Sequence, residues 1–98
     1  MRAILEPDFR GFEWDEAKAG SNYRKHGITF DEAAEALSHP HLERESQREG
    51  EARVLAICPM SKQIIAVVFI MRGELCRIIS ARVARKNEQR EYRQVLAQ

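Results

Sequence analysis

The eight-residue apolar run Ile64-Ile65-Ala66-Val67-Val68-Phe69-Ile70-Met71 constrains this chain more than any other feature. It is apolar at odd and even positions alike, so as a strand it must be covered on both faces. As a helix it is far too short to cross a bilayer, which takes roughly 20 apolar residues. A doubly covered strand within 98 residues implies a single domain over 1–98, with helices packed on a small sheet. The composition, 44% apolar and 32% charged, excludes a disordered chain. The start, Met1-Arg2-Ala3-Ile4-Leu5-Glu6, has too short an apolar stretch for a secretory signal. Cys58 and Cys76 do not make a disulfide framework, and the expectation is a reduced, cytoplasmic protein.

Periodicity places the other elements around that strand. Phe9 to Trp14 alternates aromatic and polar residues and reads as a short first strand. Asp15 is an N-cap for a helix running to about Lys25, with Gly27 as its stop. Thr29-Phe30-Asp31-Glu32 is a capping box, and Phe30, Ala33, Ala34 and Leu37 follow at helical spacing until Pro40 ends the pattern. His39 to Gly50 is polar and without period, and reads as a loop. Strands are expected at Arg53–Cys58, Gln63–Met71 and Leu75–Ser80, with turns at 59–62 and at Arg72-Gly73. A last helix is expected from about Val83 to Leu96. The fold class is therefore α+β: an antiparallel sheet of three to four strands, two helices before it and one after.

Charge is unevenly spread. Residues 1–71 carry −3 and residues 72–98 carry +4, much of it in Arg77-Ile78-Ile79-Ser80-Ala81-Arg82-Val83-Ala84-Arg85-Lys86. A strand that runs into a helix studded with guanidinium groups suits a phosphate backbone, because arginine forks match phosphate oxygens bidentately. The alternative is an ordinary solvated face. A metal centre is not expected: His39-Pro40-His41, Cys58 and Cys76 lack the paired spacing of zinc ligands. No Gly-rich phosphate loop or nucleophile elbow is present, and no other cofactor is expected.

Several strings, in order, resemble the BrnT family of type II toxin–antitoxin toxins, with their RelE-like ribonuclease fold. They are Phe12-Glu13-Trp14-Asp15, Lys18-Ala19, Asn22, and Arg24-Lys25-His26-Gly27-Ile28-Thr29-Phe30. Glu32-Ala33, Gly50-Glu51-Ala52-Arg53 and Arg77 to Ala84 follow. The resemblance implies a metal-independent endoribonuclease that cleaves mRNA and inhibits translation. It also implies a ribbon-helix-helix antitoxin, a toxin–antitoxin hetero-oligomer, and contact with operator DNA only through that antitoxin. The other function class is a non-catalytic module that acts as co-repressor with a DNA-binding partner; such a module would not arrest growth when expressed alone.

Metal-free RNA cleavage needs a base for the 2′-hydroxyl, cations for the phosphorane, and an acid for the departing 5′-oxygen. His26 is a candidate acid or base at the end of the first helix, or else a helix-end cation. Lys25 beside it is a candidate phosphate contact. Glu51 and Arg53, two apart on a strand, share a face and can act as base and phosphate ligand, or simply pair with each other. Arg82 is the first candidate for transition-state stabilisation, with Arg85 assisting if the two lie at i,i+3 on a helix. Extended backbone from Arg77 to Arg82 would put these two on opposite faces, leaving Arg77 to bind phosphate or pair with an acidic neighbour. Tyr92 reads as a core or partner-facing aromatic.

Overall fold

The computed structural model describes residues 1–48 and 50–96. Position 49 of the expected 39–50 loop, and positions 49, 97 and 98 of the expected 1–98 domain, lie outside the described residues. The elements run β1 (Arg2–Ile4), β2 (Gly11–Glu13), α1 (Glu16–His26), α2 (Phe30–Leu37) and β3 (His41–Arg48). They continue with β4 (Glu51–Met60), β5 (Gln63–Arg72), β6 (Leu75–Val83) and α3 (Lys86–Val95). The strands form one sheet in the order β1-β3-β4-β5-β6-β2.

The α+β class stands, but the expected antiparallel sheet of three to four strands does not. The described residues form a six-stranded mixed sheet, because β2 pairs with β6 in parallel while the other neighbours are antiparallel. The stretch read as a loop contains β3, which forms a seven-pair ladder with β4 from Leu42↔Ile57 to Arg48↔Glu51. Its apolar content was too low to signal a strand; pairing with a neighbour, rather than its own burial pattern, holds it extended. The expected last helix starts later than Val83: β6 continues to Val83 and α3 begins at Lys86.

Both N-terminal helices carry the caps their sequences imply. The Asp15 side chain accepts from Lys18 N–H at 3.1 Å, and Gly27 closes α1 in the left-handed region at φ 70°. Thr29 and Glu32 form the reciprocal capping box of α2 at 3.0 and 2.9 Å.

Strand β5 divides the core in two, as its double-sided composition requires. Ile65, Val67 and Phe69 join Phe30, Ala33, Ala36 and Leu37 of α2 on one face, with Phe9, Phe12 and Trp14 packed against them. Ala66, with Ile64 and Val68, points to the other face and joins Leu42, Leu55, Ile57 and Ala84 under Tyr92 and Leu96. Alternate residues of a strand point to opposite faces, so α1 and α2 cover one side and α3 the other. Each fully buried Phe or Ile contributes roughly 1.5–3 kcal/mol by leaving water. Cys58 and Cys76 are free thiols inside the first cluster.

Candidate active site

Strand β6 is where the elements that carry candidate chemistry meet. Val68 pairs with Ser80 but Phe69 with Ile78, so Ile79 is an extra residue in β6, a β-bulge. The bulge reverses the parity of everything after it. Arg77 pairs with Ile70 and Arg82 with Ala66, and these β5 residues are four apart on one face. Residues directly opposite each other share a face, so Arg77 and Arg82 both rise from the α3 side of the sheet. Ser80, opposite Val68, lies between them on that side.

Only the first part of β6 has a strand beside it on its outer edge: β2 pairs with Leu75 to Arg77. Further along, α1 takes over through Asn22, which is buried. Its Oδ1 accepts from Ala81 N–H at 3.0 Å, and its Nδ2 donates to Ala81 O at 2.9 Å and to Ile28 O at 3.2 Å. One side chain thus satisfies both groups of an exposed strand edge, as a neighbouring strand would. This docking brings the end of α1 against the bulge. Lys18, Ser21, Asn22, Lys25, His26, Ile79 and Ser80 line a shallow groove of about 200 Å³ there. Lys25 and His26 are exposed, and no carboxylate lines the groove.

The remaining candidates divide by position. Arg82 is on β6 rather than on a helix, and Arg85 is the exposed N-cap of α3, so the i,i+3 adjacency expected of them does not form. Arg82 instead meets Glu88 of α3 through two bonds, Nη1 to Oε1 at 2.8 Å and Nη2 to Oε2 at 3.0 Å. Glu88 Oε1 also accepts Arg85 N–H at 2.7 Å. The Arg82 hydrogen bonds outweigh burial and hold the Glu88 carboxyl below its usual range. Arg77 donates to Glu13 on β2 at 3.2 Å, the pairing with an acidic neighbour that its position allowed.

Glu51 and Arg53 do share a face of β4, and Arg53 Nε donates to Glu51 at 3.0 Å. That face is the α3 side, because Leu55, two residues on, belongs to the second core cluster. Arg53 sits one residue before Val54, the partner of Phe69, and so lies in the row that leads to Ile70 and Arg77. Two strand spacings, about 10 Å, separate Arg53 from Arg77 across the sheet. Glu51 is farther off. Ser80 belongs to the row of Val68 and Leu55, and about 17 Å of sheet separates that end of the groove from Glu51. His26 and Glu51 are therefore not brought together.

The histidines of the 39–41 segment are engaged elsewhere. His41 is fully buried, with Nδ1 donating to His39 O at 2.8 Å and Nε2 at 2.8 Å from Glu43 Oε2. Tyr92 packs on the second core cluster, and burial raises its phenol. Sequence reasoning did not assign roles to Asn22, Ser80 or Lys18. Asn22 is among the residues that carry the family resemblance, which is its available signal, and the structure shows it as the buried residue of an otherwise polar α1.

In chemical terms the β6 groove offers an imidazole and two ammonium groups, with Arg77 and Arg82 of the same strand standing outside its lining. Larger grooves elsewhere lack that combination, two of them rich in charge. One on α3, about 520 Å³, carries Lys86, Arg90 and Arg93 but no histidine; one on α2, about 470 Å³, carries His39 among Asp31, Glu32 and Glu35. Among the described residues, no helix is long and apolar enough to cross a membrane. A search of curated proteins finds no match. Residues 14–88, well over half of the chain and spanning α1 through β6 to Glu88, match the family described as ribonuclease toxin, BrnT, of type II toxin–antitoxin system. The chain belongs to this family of ribonuclease toxins.

Proposed function

We propose that this toxin is a metal-independent endoribonuclease that cleaves mRNA in the cytoplasm and so inhibits translation, with the groove at the β6 bulge as its active site. The observation that carries this reading is the meeting of His26 and Lys25 with Ser80 in one groove at the open edge of β6; Ser80 shares its sheet face with Arg77 and Arg82, which stand outside the groove's lining. The 2′-oxygen attacks phosphorus, the 5′-oxygen leaves, and a cyclic phosphate and a 5′-hydroxyl remain. His26 is the proton-transfer group, worth about 10²–10⁴-fold when positioned. Lys25 binds the phosphate entering the groove, and Arg82 stabilises the charge that develops on it. Arg77 and Arg53, in one row of the sheet, take neighbouring phosphates, and Arg85 one beyond Arg82. Glu51 orients Arg53 through their 3.0 Å bond, a role its distance from the groove favours over that of base for the reacting hydroxyl.

A type II toxin has an antitoxin as partner. The ribbon-helix-helix class of that antitoxin, a toxin–antitoxin hetero-oligomer, and operator binding through the antitoxin alone are part of this proposal.

The test is cleavage of a labelled mRNA by the purified toxin in EDTA, beside His26→Ala. Cleavage in EDTA that falls by 10²-fold or more in the variant is the expected result. Cleavage that requires added magnesium would sink metal independence, and a fully active His26→Ala protein would sink the site.

A further inference from the structure

We infer that Glu88 is a positioning residue for Arg82, turning a flexible side chain into a fixed fork with one open edge. The inference rests on the proposed role of Arg82 and adds a residue to that site. A guanidinium carries five N–H donors in one plane, grouped along its edges. Glu88 occupies the edge formed by Nη1 and Nη2, at 2.8 and 3.0 Å. The other proton of Nη1 points toward Val83 O, at 3.4 Å. What remains is the edge of Nε and Nη2, which has no acceptor among the described residues. Two parallel donors on that edge match two phosphate oxygens.

Glu88 can hold this aim because it is itself immobile. Its side chain is 3% exposed against 24% for Arg82, so the carboxylate is the buried end of the pair and the guanidinium the accessible one. It stands in the first turn of α3 and accepts Arg85 N–H at 2.7 Å, where the helix N-terminus favours an anion. A lone arginine on a strand would sample many rotamers and lose that freedom on binding phosphate. Here the loss has already occurred during folding. The carboxylate lowers the net charge of the site but supplies orientation in exchange, which matters most once the phosphate geometry is changing.

A purely structural pin between α3 and β6 would show the same bonds, and the experiment must separate the two. Single-turnover cleavage at saturating RNA is measured for wild type, Glu88→Gln, Arg82→Lys and the double variant. Affinity for a 2′-O-methyl version of the RNA, which cannot react, is measured for each, with thermal unfolding to confirm that each is folded. Glu88→Gln is expected to slow cleavage about 10- to 100-fold with less than about 3-fold change in affinity. In the Arg82→Lys background, where no fork remains to aim, the same substitution should change the rate by less than about 3-fold. Wild-type cleavage by folded Glu88→Gln, or an equal loss in both backgrounds, overturns the inference. If Glu88→Gln does not fold, Glu88→Asp keeps the charge but shortens the reach, and the same comparison applies. Wild-type cleavage by Arg82→Lys would instead sink the role of Arg82 itself, and this inference with it.

Discussion

Arg77 and Arg82 rise from the same face of β6 although their spacing would put them on opposite faces of a regular strand. The single extra residue Ile79, between the Phe69↔Ile78 and Val68↔Ser80 pairs, makes the difference. Arg77 then meets Glu13 on the neighbouring strand and Arg82 meets Glu88 on the helix above. Both arginines are therefore aimed by carboxylates from other elements, and removing either arginine leaves a carboxylate behind.

That residual carboxylate complicates the simplest test of Arg82. Arg82→Ala strands the nearly buried Glu88 without its partner, which should cost about 2–3 kcal/mol of stability, at or below the roughly 3–5 kcal/mol of breaking a fully buried pair because Arg82 is partly exposed. Arg82→Ala/Glu88→Ala should recover more than half of that loss. Urea unfolding of both variants measures it; an Arg82→Ala protein as stable as wild type would show that Glu88 finds water or another donor.

Asn22→Ala removes three hydrogen bonds and leaves Ala81 N–H and C=O unpaired under α1. The expected loss is about 2–4 kcal/mol, from buried backbone groups left unsatisfied. Amide hydrogen exchange gives the local reading: Ala81 should lose protection more than Val67, which sits in the centre of the sheet. Equal loss at both sites would mean global destabilisation without a specific role at the edge.

Acid should weaken the fold through Glu43 and Glu88. Burial alone would raise Glu43, but the hydrogen bond and charge of His41, with Arg2 adding to them, outweigh it and leave the carboxyl below its ordinary value of 4.5. Glu88 is lowered too, chiefly by Arg82. A carboxyl lowered in the folded state binds protons less readily than when unfolded, so its contribution is complete above about pH 4.5 and lost as pH falls through the folded value. Thermal unfolding between pH 7 and pH 3 should show the midpoint falling below pH 4.5. Glu43→Gln should make that fall shallower, and an unchanged slope would remove Glu43 from the account.

The two thiols should be inert in the folded protein. Burial pushes Cys76 up to about 12 and Cys58 higher still, with the Glu43 charge adding to both. A thiol-specific colour reagent at pH 8 should therefore react at the rate of unfolding and accelerate in step with denaturant. Immediate reaction of one equivalent in native buffer would contradict the buried placement.

Local rules determined a large part of this molecule. The caps at Asp15, Gly27 and Thr29, the period of Phe30 to Leu37, and the two-sided apolarity of Ile64 to Ile70 each depend on residues within one or two turns or strand steps, so the sequence alone located α1, α2 and β5. The arginines of the 77–85 segment were visible as a cluster for the same reason. Non-local pairing decided the rest. Strand β3 is polar along most of its length and is a strand because β4 supplies its partners; β2 runs parallel to β6 through a contact more than sixty residues apart. The bulge at Ile79 has no signature in its own residue type and shows only in how β6 pairs with β5, just before Asn22 takes up the other edge at Ala81. A one-residue shift of register reverses every side chain after it, so the face on which Arg82 stands, and its meeting with Glu88, belonged to the tertiary structure alone.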